Sequence, residues 1–330
     1  LVTFPAAPGI LPESVQNMLI LEYGTEESLR IITERADELA AVLVEPVQSR
    51  RPEFQPIEFL NKLRELTIKS EIPLIFDEVI TGFRMHPGGV QALFNIQADI
   101  ATYGKVIGGG ISIGAITGKR KYMDALDGGH WQYGDDSIPE VGVTYFAGTF
   151  VRHPLALAAS KASLTYLKKQ GSALQEKLND MTSRLAFELN TEFKKKNLPM
   201  IINHFGSLWR LKFNEDVLYG ELLFNLLREN GIHIWDGFPC FMTEAYTEED
   251  LTVIINTFKN CLDKMVSAGF FNTNKSESIA PPSDVNNSVI INKPPVDGAR
   301  LGRDKEGNPA WFVADPNKSG EYVKIDLAFS

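Results

Sequence analysis

Through the first half of the chain, short apolar or β-branched runs alternate with stretches whose apolar residues return every three or four positions. That alternation is the signature of a mainly parallel, doubly wound α/β sheet. Strands are expected near residues 17–22, 40–45, 73–77, 99–103 and 113–117, with helices between them. A helix from about Glu26 to Asp37 separates the first two, and Ile57, Leu60, Leu63 and Leu66 give the next helix one apolar stripe. From about His153 the texture changes to long helices, with Leu174, Leu178, Met181, Leu185, Leu189 and Phe193 recurring at helical spacing. Short strands near 200–204 and 207–213 and helices near 218–230 and 247–266 then predict a smaller α+β region. The run Lys194-Lys195-Lys196 reads as a solvated helix end, where cations suit the negative pole of the helix.

This punctuation divides the chain into a large domain over 1–152, connecting helices and a small C-terminal domain over 153–271, a linker over 272–297 and a tail over 298–330. The linker is rich in Ser, Asn and Pro and poor in large apolar side chains, so it cannot bury enough surface to offset the entropy of ordering. The tail carries Trp311, Phe312 and Tyr322 among turn residues, too little for a core of its own.

With 330 residues and 44% apolar content the chain can bury a substantial core. Lys and Arg number 33 against 42 Asp and Glu, a formal charge of −9, which gives no overall attraction for nucleic acid or anionic membrane. No apolar run approaches the roughly 20 residues that cross a bilayer. The opening Leu1-Val2-Thr3-Phe4-Pro5 lacks the layout of a signal peptide, so a cytoplasmic location is expected. It also lacks Met and reads as mid-domain sequence, so the chain is expected to be a piece of a longer one. Two cysteines, Cys240 and Cys261, are too few for a disulfide framework or zinc site and are expected to be reduced thiols.

Chemistry concentrates at two strand ends. Leu74-Ile75-Phe76-Asp77-Glu78 puts carboxylates directly after an apolar strand, where open α/β sheets place their ligands. An apolar strand ending in Asp-Glu also suits a magnesium-holding element of a nucleotide hydrolase, or a helix cap. The hydrolase needs a Gly-x-x-x-x-Gly-Lys-Ser/Thr loop, and none is present. Gly108, Gly110 and Gly114 are spaced one residue too long for a dinucleotide fingerprint. The second strand end is Thr102-Tyr103-Gly104-Lys105, loosened afterwards by Gly108-Gly109-Gly110. Asp77 and Lys105, with enough chain between them for a helical crossover, can face one pocket. A pyridoxal cofactor needs this pair: a lysine amine to hold its aldehyde as an imine, and a carboxylate to keep its ring nitrogen protonated. The displaced lysine can then carry the substrate proton. Val79, two residues beyond Asp77, could press on the ring face or be an ordinary core residue.

The runs AAVLVEPVQ, IFDEVITGFR, TYGKVIGGGISIGAITGKR and FAGTFVRHPLALAAS, at residues 40–48, 75–84, 102–120 and 146–160, resemble the class III aminotransferase family, in particular its glutamate-1-semialdehyde branch. The resemblance covers residues 1 to about 270. It implies the fold-type I pyridoxal 5'-phosphate architecture, a homodimer and an amino-acid donor, and makes Lys105 the catalytic, cofactor-bearing lysine, Asp77 the ring-nitrogen partner and Val79 a ring contact. It also matches Thr149 to a threonine that reaches the cofactor phosphate of the other subunit, and Glu45 to the family's substrate-side Glu-Pro motif. Taken by themselves, Thr149 would be a turn residue and Glu45 a strand-end carboxylate.

Two departures stand out. The family's glycine-rich phosphate loop and stacking aromatic would precede residue 1, and no Arg-x-x-Pro-Pro segment is present, so no buried arginine is expected to clamp a substrate carboxylate. The tail segments at 298–304 and 308–312 resemble connectors that precede condensation domains in multimodular peptide synthetases. Together these features suggest an aminotransferase domain of a hybrid polyketide and nonribosomal peptide (lipopeptide) synthase, acting on a β-ketoacyl chain held by an acyl carrier protein. An aminomutase of the semialdehyde type and a catalytically silent dimerisation scaffold are the alternatives.

Overall fold

A computed structural model of the protein describes residues 3, 5–271, 300–303, 309–314 and 322–324. They form strands β1 (Val42–Val44), β2 (Leu74–Asp77), β3 (Ile100–Gly104), β4 (Gly114–Gly118), β5 (Met200–Phe205), β6 (Leu208–Phe213), β7 (Cys240–Phe241), β8 (Arg300–Arg303), β9 (Pro309–Ala314) and β10 (Tyr322–Lys324). The helices are α1 (Glu26–Glu34), α2 (Ile57–Lys69), α3 (Gly89–Phe94), α4 (Arg120–Asp127), α5 (Pro154–Gln170), α6 (Ala173–Lys195), α7 (Leu222–Glu229) and α8 (Glu248–Ser267).

The first sheet has the order β1-β2-β3-β4, with β1, β2 and β3 parallel and β4 antiparallel to β3. Its helices follow the apolar spacing of the sequence. In α2, Phe59, Leu60, Leu63 and Thr67 are buried on one face, Glu58 lies in the first turn and Lys69 in the last, and the chain leaves the helix through Glu71 at φ 57°. That face meets Leu29 and Ile32 of α1 and Leu74 and Phe76 of β2 in one core. Each such buried Leu or Phe contributes about 2 kcal/mol of transfer free energy.

Asp99, just before β3, ties this layer together. Its carboxylate accepts from both Arg64 guanidinium arms of α2 at 2.6 and 3.2 Å and from the Leu74 amide at 2.9 Å, and it pairs with Lys119 at 2.6 Å.

The region after α5 has a separate core between α6, α7, α8 and a three-stranded antiparallel sheet of order β5-β6-β7. Thr247 and Asp250 close the start of α8 reciprocally, the arrangement of a capping box. A third, small cluster joins Val47, Met85 and Val90 to Phe205 and Leu208. Beside it, three successive carbonyls are bound by side chains from the later elements. Gln175 and Asn179 of α6 donate to Phe83 and Met85 at 2.9 and 3.0 Å, and Ser207 donates to Arg84 at 3.4 Å. Residues Leu1–Thr273 make one compact unit and Asn274–Ser330 a second.

Three expectations change. Residues 17–22 are not a strand: they join no ladder, and Met18 and Ile20 are exposed while Leu21 packs on the core. Apolar content alone does not make a strand when no partner receives its backbone groups. The lysine run does end α6, but Lys196 is not merely solvated, because it pairs with Glu192 at 2.9 Å and with Asp263 of α8. In the tail, β8, β9 and β10 form an antiparallel sheet with β9 in the middle, where isolated aromatics among turns were expected. The linker expected over 272–297 lies outside the described residues.

Candidate active site at the strand ends

Because β1, β2 and β3 are adjacent and parallel, their carboxyl ends share one edge of the sheet. Glu45 directly follows β1, Asp77 closes β2 and Lys105 directly follows β3. Pairing in register sets Asp77 opposite Thr102. The half-buried Asp77 accepts at Oδ1 from the Val79 amide at 2.9 Å and from the Thr102 hydroxyl at 3.2 Å. No described residue donates to its Oδ2, which leaves that oxygen for an outside donor.

The neighbouring acid does different work. Glu78 is fully buried and accepts from the Thr81 hydroxyl at 3.0 Å and from the Val90 and Gln91 amides at 2.8 and 3.1 Å. It therefore fixes the start of α3, and alternation along the strand turns Asp77 the other way. Gly89, at φ 68°, approaches so closely that a Cβ there would lie 2.6 Å from the Glu78 carboxylate.

Lys105 has an exposed side chain, forms no ion pair with a described carboxylate, and sits at φ 46°, the left-handed region that a non-glycine residue occupies at a cost of about 1 kcal/mol. Gly104 before it leaves room that a side chain would fill: a Cβ would stand 3.3 Å from Val79 Cγ1. Val79 thus packs against the backbone beside Lys105.

Glu45 links the set electrostatically. Burial raises its carboxyl above the ordinary range and the Asp77 charge adds to this, while the Ser49 amide, donating at 3.0 Å, and the Lys105 charge oppose the rise without overcoming it. Nearby, the Tyr23 hydroxyl donates to the Pro46 carbonyl at 2.8 Å, and burial, with Glu45's charge second, raises its pKa.

The strand ends thus gather Glu45, Asp77, Val79 and Lys105. Thr149 lies in the exposed stretch 130–150, which also presents Tyr133, Tyr145 and Phe150 to solvent. Thr102 and Ser49 escaped the reading of the sequence, because their importance depends on strand register and on one turn. Arg84, half-buried in the turn after β2, is a cation that the reading of the sequence did not single out. Its guanidinium lies 4.2 Å over the Phe241 ring, burial pushes it down to about 10, and no described carboxylate pairs with it. It remains protonated at neutral pH. Cys240 and Cys261 are free, and burial raises both thiols, Cys240 to about 11.

The residues present fit pyridoxal phosphate: an unpaired lysine amine and a positioned carboxylate with one open oxygen, on adjacent strand ends. The comparisons agree. The chain is 35% identical over 278 residues to glutamate-1-semialdehyde 2,1-aminomutase 2 of Brevibacillus brevis, covering 79% of this chain and 61% of that one. The fold matches a transaminase with pyridoxal phosphate bound at a TM-score of 0.71, 28% identical, covering 82% of this chain and 62% of that one. It matches a β-phenylalanine aminotransferase from Variovorax paradoxus at 0.64, also 28% identical, over 76% of this chain and 58% of that one. The chain therefore spans about three fifths of the length of these relatives. The family model described as aminotransferase class-III matches residues 7–268. The chain belongs to the class-III aminotransferase family, whose cofactor is pyridoxal 5'-phosphate.

Proposed function

We propose that the protein moves an amino group from an amino-acid donor to the β-carbon of a ketoacyl thioester held on an acyl carrier domain, within a hybrid polyketide and peptide synthase. The observation that carries the amino-transfer part is the convergence of Asp77 and Lys105 on adjacent parallel strand ends, both acting on Glu45. In the net exchange the donor's C–N bond breaks and becomes a carbonyl, while the acceptor's β-carbonyl becomes a C–N bond, so donor and acceptor trade oxygen for nitrogen. The cofactor supplies an aldehyde to carry the nitrogen and an electron-accepting ring.

The chain's own residues do the rest. Lys105 would hold the cofactor's aldehyde carbon, and the same Nζ would move the proton at the substrate carbon. Asp77, oriented by Thr102 and the Val79 amide, would hold the proton on the ring nitrogen through its open Oδ2. Val79 would bear on the ring, Glu45 on the substrate side, and Thr149 would serve a phosphate across a homodimer interface.

The β-position of the amination is supported by the structural likeness to a β-phenylalanine aminotransferase and by the connector-like tail. Likeness to an aminomutase favours a second reading, in which donor and product share one carbon skeleton. Loading a β-ketoacyl group on the neighbouring carrier, adding the full-length holoenzyme and amino donors, and weighing the carrier by mass spectrometry separates them. An aminated chain supports the proposal. An unchanged chain beside brisk turnover of free glutamate-1-semialdehyde overturns it.

A further inference from the structure

Six of the chain's thirteen arginines, Arg30, Arg35, Arg64, Arg120, Arg184 and Arg228, each pair with a carboxylate. Arg50, Arg51 and Arg210 pair with none among the described residues, and they gather around one small surface beside the strand-end site. The Arg50 guanidinium lies 4.9 Å over the Phe238 ring, and that of Arg51 lies 4.6 Å over Phe54. Arg210 donates to the Gly237 carbonyl at 2.8 Å and to the Arg50 carbonyl, so it staples the 48–51 turn to the 235–238 turn. Within the 235–238 turn, Asp236 is already paired with Arg228 at 2.9 Å.

Stacking on a ring occupies a guanidinium's flat face and leaves the N–H groups in its plane directed outward, the geometry that binds a phosphate by two parallel bonds. Beside these donors lies an aromatic platform: Trp235 stacks on Phe238 at 4.0 Å with an interplanar angle of 14° and is 65% exposed. The surface is joined to the strand-end site through one turn. Arg50 follows Ser49, whose amide holds Glu45, and the Arg51 amide closes the same turn on Gln48 at 2.8 Å.

We propose that Arg50, Arg51 and Arg210, with the Trp235–Phe238 platform, form the docking surface for the phosphopantetheine arm of an acyl carrier domain. Arg50 and Arg51 take its phosphodiester, and Arg210 holds together the two turns that carry them. This rests on the carrier-bound reading of the same site and names where that substrate enters. The phosphodiester is anionic, which suits a cationic patch on a chain whose net charge of −9 otherwise repels it.

Two measurements on the full-length holoenzyme decide the matter. In a fluorescence-anisotropy titration, the carrier bearing its phosphopantetheine arm should bind about ten-fold more tightly than the unmodified carrier. The double variant Arg50→Glu/Arg51→Glu should remove that difference and flatten the dependence of binding on salt, as expected when screened charges carry the contact. Arg50→Lys, which keeps the charge but loses the paired donors, should fall between. In kinetics, the double variant should raise KM for the carrier-bound thioester at least ten-fold more than KM for the same acyl group on phosphate-free N-acetylcysteamine. Equal binding of both carriers to wild type and variant, or equal KM increases on both thioesters, overturns the docking surface. Failure of the wild type to aminate the carrier-bound chain overturns the functional reading instead, and the titration still decides the patch.

Discussion

Asp77 and Thr102 face each other across β2 and β3, and the Thr102 hydroxyl donates to Asp77 Oδ1 at 3.2 Å. The threonine holds the carboxylate that would serve the ring nitrogen. Asp77→Asn keeps the shape and removes the charge, so the rate of substrate proton abstraction should fall by the few kcal/mol that a charge-assisted pair loses when one partner goes. Thr102→Val should cost kcat roughly ten-fold, the worth of one hydrogen bond to a charged group, with KM for the donor little moved. A role confined to folding would leave the absorption spectrum of the bound cofactor and its pH dependence unchanged. Both should shift in Thr102→Val.

Among the described residues Lys105 is the one lysine at these strand ends, and it would form the covalent link. Borohydride treatment of the full-length holoenzyme should fix the cofactor onto Lys105, and Lys105→Ala should lose turnover by several orders of magnitude. A reduced adduct found on another lysine by peptide mapping would refute the assignment.

Glu45 gives a prediction with a definite sign. Its carboxyl titrates above the 4.5 of an unfolded chain, because burial and the Asp77 charge disfavour ionisation. The folded state therefore holds the proton more tightly, and stability falls as pH rises through 4.5 and the higher folded value. Glu45→Gln keeps an acceptor for the Ser49 amide and removes that cost. Melting temperatures should show the variant above wild type at pH 7 and the gap closing by about pH 4. A gap independent of pH would show that Glu45 carries no buried charge.

Asp99 has the opposite sign. Burial alone would raise its carboxyl, yet the hydrogen bonds from Arg64, Lys119 and the Leu74 amide prevail and hold it at about 2. Its stabilisation is present above 3.8 and is lost as pH falls through about 2. Asp99→Asn leaves the Arg64 guanidinium buried without its partner, which should cost roughly 3 kcal/mol at neutral pH. Denaturant midpoints measured from pH 7 down to 2 should show the loss shrinking over that acid range.

Much of the site was legible because its residues sit where sequence patterns are strongest, at the ends of buried strands. Asp77 and Lys105 each follow an apolar run, and their chemistry is complementary, so the pair stands out without coordinates. Thr102 is invisible to such a reading, since its importance rests on the register that sets it opposite Asp77. Glu78 looks as eligible as Asp77 in the sequence, and only the amides of Val90 and Gln91, twelve and thirteen positions on, show that its charge is spent on α3. Residues 17–22 misled for the reverse reason, because an apolar run says nothing about whether a neighbouring strand will receive it.

The carbonyls of Phe83, Arg84 and Met85 are gripped in succession by Gln175, Ser207 and Asn179. The turn that leaves the Asp77 strand is thus shaped partly by residues about ninety to one hundred and twenty positions later. For protein engineering this makes the two stretches a matched lock and key. A chimaera that grafts the later region of a relative onto this strand must bring compatible side chains at 175, 179 and 207, or the exchange will disturb a turn beside the candidate site that none of the grafted residues was chosen to touch.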